Sequence, residues 1–139
     1  MTVNNWTLER IREHLDSSLP LVSLFNIAVL DVSEERGTVR LGSSEHVTRH
    51  GGIISGPVQF ALADVAIYAL ILAARRDPAA VTVDLTINFL RPANLPLLAT
   101  AAPLRSGRRM FTAEVRITEE TSARLVAQAT GTYALSAGP

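Results

Sequence analysis

The run that Ser55 opens and Ala74 closes is apolar on every face, interrupted by Gln59, Asp64 and Tyr68 alone. A helix with no polar side belongs inside a protein or inside a bilayer. Ser55-Gly56-Pro57 marks its start, with Ser55 or Gly56 as the cap. Pro57 gives up only an N–H that the first helical turn leaves unpaired anyway. Arg75 and Arg76 follow the run, where cations complement the negative end of the helix dipole, and Asp77-Pro78 stops it.

Everything downstream alternates. Val81, Val83, Leu85, Ile87 and Phe89 interleave with Thr82, Asp84, Thr86 and Asn88, which predicts a strand with one buried face. Arg91-Pro92-Ala93-Asn94 interrupts it. Leu97 to Leu104 and Met110 to Thr118 read as a hairpin across Arg105-Ser106-Gly107-Arg108-Arg109, and Arg124 to Leu135 as the last strand. Upstream, residues 4 to 15 predict a short amphipathic helix with Leu8, Ile11 and Leu15 on one face, broken by Asp16 to Pro20. Ile27 to Ser33 and Thr38 to Leu41 flank a turn at Glu34 to Gly37, and Gly42 to Ile54 has no period. Strands bury an all-apolar helix only by curling around it. The expected class is therefore α+β, one curved antiparallel sheet wrapped on a long central helix. Residues 1–139 read as one domain, with residues 1–20 a helix and connection at its edge. The sheet still needs cover on its outer face or edge, for which self-association is the usual remedy.

Pro57 to Ala74 also reaches the lower limit of a bilayer span. An internal Asp64 is expensive in lipid, and alternating strands follow, so a buried core helix is the better reading and no membrane partner is expected. Thirteen basic and thirteen acidic residues cancel, which argues against a nucleic-acid binder that works by displacing counterions. With no cysteine there is no disulfide framework or thiolate metal site, a composition that fits a cytoplasmic setting. The amino terminus lacks a basic-then-apolar leader. His14, His46 and His50 show no metal-ligand spacing, so no metal is expected. Trp6, Phe25, Phe60, Phe89 and Phe111 are scattered packing residues.

Asp64 is the candidate for chemistry. A carboxylate inside an apolar helix is costly unless something nearby uses it. Nine positions separate it from Ser55, two to three turns into the helix. On pattern alone, a structural Asp64 bonded to Tyr68 or to backbone is the competing reading.

Leu62-Ala63-Asp64, the opening Ser55-Gly56-Pro57, Thr82 near the start of the next strand, Asn88-Phe89-Leu90-Arg91-Pro92-Ala93 and Val126 to Tyr133 fall in one gapless register. In that register the chain from about Leu24 to Leu135 resembles the hotdog-fold thioesterases, in particular the phenylacetate-pathway type of acyl-CoA thioesterase. His50-Gly51-Gly52 imitates the family's His-Gly-Gly tripeptide but stands fourteen positions before Asp64 instead of nine. In the matching place is Ser55-Gly56-Pro57, and Arg49 stands where an Asn often sits.

The resemblance implies hydrolysis of an acyl-CoA thioester, with no cofactor beyond the coenzyme A of the substrate. Asp64 would activate water as a general base or attack the carbonyl itself. Amides at the helix start, Gly56 and Val58, would hold the developing oxyanion. Thr82 and Gln59 would orient the water or the carboxylate, and Ser55, Arg49 and Arg91 would face the substrate. Arg105, Arg108 and Arg109 are further candidates for the coenzyme phosphates. The family's site lies between two subunits, so a homodimer or homotetramer is expected. Two alternatives remain open. One is a non-catalytic acyl-CoA binder or sensor, which the Ser55 and Arg49 departures favour. The other is a dehydratase or hydratase, for which His50 is the only histidine near the helix start.

Overall fold

The structure, a computed structural model, describes residues 5–49 and 51–136. Two helices come first, α1 (Leu8–Ser18) and α2 (Pro20–Leu24). They are followed by β1 (Ile27–Val32), β2 (Gly37–Leu41) and the long helix α3 (Gly56–Arg75). Four strands complete the fold: β3 (Val81–Phe89), β4 (Leu97–Ser106), β5 (Met110–Glu119) and β6 (Leu125–Ala134). All six strands form one antiparallel sheet in the order β1-β2-β4-β5-β6-β3, so β1 and β3 are its edges. This is the α+β hotdog arrangement expected from the sequence.

The sheet comes close to α3 where its inner face carries small residues. Ala99, Ala101, Ala113, Ala127 and Ala129 are all fully buried there. Gly37 is required at its position, since a Cβ would stand 3.2 Å from both the Ala66 carbonyl oxygen and the Leu70 nitrogen. The helix answers with Leu62, Ile67, Leu70, Ile71 and Leu72, none of them exposed. Among the described residues α3 alone is long and apolar enough to cross a membrane, and here it is wrapped by protein instead. At its C-terminal end Arg76 adopts a left-handed φ of 54°, and its N–H donates to the Ile71 and Leu72 carbonyls.

Three expectations need correction. The first helix starts at Leu8, where the Thr7 hydroxyl accepts from the Arg10 N–H at 3.2 Å, and runs to Ser18 instead of stopping at Leu15. Asn4 lies outside the described residues. The expected break is then only Leu19, because Pro20 opens α2, a helix the sequence reading missed. The third correction concerns β3. Val81, Val83 and Phe89 are 60%, 55% and 50% exposed, so an edge strand stands where a half-buried one was expected.

Candidate active site

A bulge in β3 decides what faces Asp64. The pairing of β3 with β6 runs Thr82 with Tyr133 and then Asp84 with Thr132, which leaves Val83 as the extra residue. An inserted residue reverses the facing of everything before it. Leu85, Ile87 and Phe89 oppose Gly131, Ala129 and Ala127 of β6, on the face that meets α3. Without the bulge Thr82 would point the other way, with Asp84 and Thr86. With it, Thr82 shares the inner face with Tyr133.

Both hydroxyls converge on one carboxylate. Thr82 donates from Oγ1 to Asp64 Oδ1 at 3.0 Å and to Oδ2 at 3.2 Å. The Tyr133 phenol donates to Asp64 Oδ1 at 2.6 Å and lies 3.1 Å from the Asp64 carbonyl oxygen. Oδ1 is thus shared by two donors, and Oδ2 keeps the more open acceptor capacity. Burial first, and then the charge of Asp64, push the Tyr133 phenol far above its ordinary range, so it remains an O–H donor. Asp64 itself is half-buried and lines an open cleft of about 560 Å³ whose walls are otherwise mostly apolar. The fully buried carboxylate of the sequence reading is therefore not what the fold presents. Nor is Tyr68 its partner: that phenol donates to the Pro78 carbonyl at 2.7 Å and meets His14 Nε2 at 2.9 Å. Its ring stacks on Tyr133 at 6.1 Å between centroids.

The helix start lies elsewhere. A second cleft, about 460 Å³, is lined by Arg49, Gly56, Gln59, Phe89 and Arg91. Gly56 permits close packing there, because a Cβ would meet the Phe89 ring at 3.2 Å. A helix leaves the amides of its first residues without an internal acceptor, here Gly56 and Val58, while the Val58 side chain sits in the core. Ser55 is the N-cap residue, yet its hydroxyl makes no capping bond, and its N–H donates to the Val47 carbonyl at 3.3 Å. Gln59 is 4% exposed and donates from Nε2 to the Ile54 carbonyl at 3.1 Å. Its Oε1 has no partner among the described residues.

Asp64 and Thr82 therefore meet, whereas Gly56, Gln59, Arg49 and Arg91 form a separate group. Eight positions of one rigid helix, about 12 Å at 1.5 Å per residue, separate Gly56 from Asp64. Arg105, Arg108 and Arg109 stand further off still, on the β4–β5 hairpin that Arg75 ties to the opposite end of α3 through Ser106 and Gly107. Gly51 and Gly52 occupy a tight turn with φ of 93° and 79°, closed by the Arg49 N–H on the Ile53 carbonyl at 2.8 Å. Gly51 and Gly52 thus lie in a loop and not at the helix start; His50 and the dehydratase reading built on it lie outside the described residues. Phe60 and Phe89, expected to pack, are 41% and 50% exposed. Among the described residues, no three His, Asp or Glu side chains converge as metal ligands do.

The model of the thioesterase superfamily matches residues 51–126, more than half of the chain. The chain belongs to the thioesterase superfamily. This superfamily member is 31% identical over 103 residues to a candidate esterase of Halobacterium salinarum, spanning 70% of this chain and 68% of that one. It resembles the solved structure of a candidate thioesterase from Silicibacter sp. TM1040 with a TM-score of 0.84 and 30% identity, over 100% and 96% of the two chains. Zebra fish thioesterase superfamily member 2 gives a TM-score of 0.80 at 27% identity, over 94% and 99%. The superfamily match takes in Asp64 and Thr82 but ends before Tyr133, the site residue that the sequence reading missed. One signal for it was present. On the inner face of β6, Ala127, Ala129 and Gly131 are small, and a lone buried tyrosine beside them needs a partner for its O–H.

Proposed function

We propose that this chain hydrolyses an acyl-CoA thioester, with Asp64 activating the attacking water. The observation that carries the reading is the oriented carboxylate, fixed by Thr82 and Tyr133 on the wall of an apolar cleft. Asp64 takes a proton from water as its oxygen bonds to the thioester carbon. The carbonyl oxygen becomes an oxyanion and collapses as the C–S bond breaks, and the thiolate leaves with the proton that Asp64 returns. Oxyanion stabilisation comes from the Gly56 and Val58 amides at the positive end of α3. Because Gly56 and Asp64 line different clefts of one chain, the helix start of a second copy completes the site. The exposed edge β3, with Val81, Val83 and Phe89 and with Phe60 nearby in the cleft, suits that pairing.

In this reading the arginine-lined cleft receives the coenzyme, with Arg49 and Arg91 toward its phosphates. The unmet Gln59 Oε1 accepts from an amide N–H of the pantetheine arm. No cofactor beyond the substrate's own coenzyme A takes part, and the setting is cytoplasmic. Within the superfamily we place the chain with the phenylacetate-pathway type, as a variant with Ser-Gly-Pro at the helix start. The test is thiol release from short, medium and aromatic acyl-CoAs. Asp64→Asn should lower kcat at least a hundredfold, the scale of general-base catalysis, while circular dichroism stays that of the wild type. Full turnover in that variant, or no turnover on any member of the panel, refutes the assignment. A second reading, acyl-CoA binding without turnover, draws on the Ser55 hydroxyl, which makes no capping bond where the family has a histidine. Tight binding unaffected by Asp64→Asn, with no thiol released, would establish it instead.

A further inference from the structure

We propose that Leu19 and Leu21, at the junction of α1 and α2, form the wall that sets how long an acyl chain the Asp64 cleft accepts. The inference rests on the thioesterase reading for the word acyl, and on the cleft itself for the rest. Both leucines line the 560 Å³ cleft together with Asp64, Thr82 and Tyr133. The chemistry and the helical junction thus bound the same space.

Neither leucine is the main anchor of the junction, although both pack part of their surface on the core. α1 docks through Ile11 and Leu15, both fully buried, and α2 through Val22 at 2% exposure. The contact of His14 Nε2 with the Tyr68 phenol at 2.9 Å adds a polar latch to α3. Leu19 and Leu21 stay half-buried, with flanks left over for the cleft. Leu19 is also a poor local choice. It occupies the N-cap of α2, where Ser, Thr, Asp or Asn would satisfy a helix amide, and it makes no side-chain capping bond. Packing on the core uses only part of Leu19, and the remainder is apolar surface turned into the cleft.

The size is right for a hydrocarbon chain. Taking a methylene as near the ~30 Å³ share of one water, the cleft holds fewer than about twenty such groups, less the room that the reacting water needs. Each methylene taken out of water is worth about a fourfold gain in kcat/KM, up to the length at which the wall is met. Beyond that length the gain stops.

The experiment measures two profiles on the full chain against acyl length. One is kcat/KM for saturated acyl-CoAs spanning two to roughly twenty-four carbons, a range that exceeds the capacity of the cleft, and the other is the affinity of the matching non-hydrolysable acyl-CoA thioethers. The double variant L19A/L21A should move the cut-off in both profiles to chains about two carbons longer, with about a fifteenfold gain at the new optimum. L21F, which fills the cleft and guards against a misfolded double variant, should move it to shorter chains. L24A, on an exposed leucine of α2 that does not line the cleft, should keep the wild-type profile. Unshifted cut-offs with hydrolysis intact overturn the wall and leave the enzyme assignment standing. A shifted binding cut-off without hydrolysis upholds the wall and removes the enzyme. Neither hydrolysis nor thioether binding removes both.

Discussion

Tyr133→Phe removes one oxygen atom and leaves the ring in place. The lost group donates to Asp64 Oδ1 at 2.6 Å, while the ring remains stacked on Tyr68 at 6.1 Å. A hydrogen bond to a charged acceptor contributes about 1.5–3 kcal/mol to stability. Two features of the site reduce that here. Thr82 still donates to the same carboxylate, and half-buried Asp64 can recruit water. The expected net loss is about 1 kcal/mol, which lowers Tm by about 4 °C for a chain of this size. The consequence for activity is of similar size, because Asp64 loses one of the two groups that fix its rotation. A reorientation cost of about 1 kcal/mol corresponds to roughly a five- to tenfold drop in kcat with KM little changed. On the proposed mechanism Tyr133 acts through Asp64, as a positioning residue.

The same substitution has an alkaline signature. The Tyr133 phenol is raised in the folded protein above the unfolded value of 10.0, by burial first and then by Asp64. Below pH 10 neither state ionises it and no stability is lost. Above pH 10 the unfolded chain releases the proton while the folded one holds it, so stability falls as pH rises. Urea melts at pH 9 to 11 should show a steeper loss in the wild type than in Y133F. Equal kcat, equal Tm and equal alkaline slopes in the two proteins would refute the role given to this phenol.

Thr82→Val keeps the β-branched shape and deletes the second donor; thiol release should fall about tenfold, while stability at this exposed position changes by less than about 0.5 kcal/mol, and Thr82→Ser should restore activity. Full activity in T82V would show that the hydroxyl contributes nothing. At the far end of β5, Glu119 accepts from the Ser122 hydroxyl at 2.7 Å and the Asn94 N–H at 3.1 Å, bonds that hold its carboxyl below the ordinary 4.5. With the folded value depressed, its contribution is present above about pH 4.5 and is lost as pH falls through the folded value. Acid melts of E119Q should therefore be flatter than those of the wild type below pH 4.5, and identical slopes would count against the assignment.

Most of the fold was legible because its two periods do not overlap. Twenty residues without a polar face, followed by strict alternation, leave few ways to bury both. What escaped the sequence was decided by single residues. Val83 reads as one more apolar position in the β3 alternation, but it is the bulged residue, and that insertion turns Thr82 toward Asp64. Alternation alone assigned Thr82 to the outer face; only the family register marked it for the site. Tyr133 looked like the end of a strand because nothing local says that its ring reaches back 69 positions to α3. Pro20 reads as a breaker, which it is for α1, and equally as the first residue of α2. Leu19 and Leu21 were missed for that reason.

The central helix also limits how the site is completed. A thioester carbonyl that reacts must lie about 3 Å from the attacking group and from the oxyanion donors at once. Gly56 and Asp64 ride on the same continuous helix, about 12 Å apart at 1.5 Å per residue. Moving α3 as a body moves both ends together and changes nothing. One carbonyl therefore meets the Asp64 carboxylate and a Gly56 amide only when the two come from different copies. On the proposed mechanism the exposed edge of β3 would then serve catalysis as well as association. It carries Thr82 one residue before the bulge and Phe89 over Gly56, so a partner paired on this strand would meet both halves of the proposed chemistry.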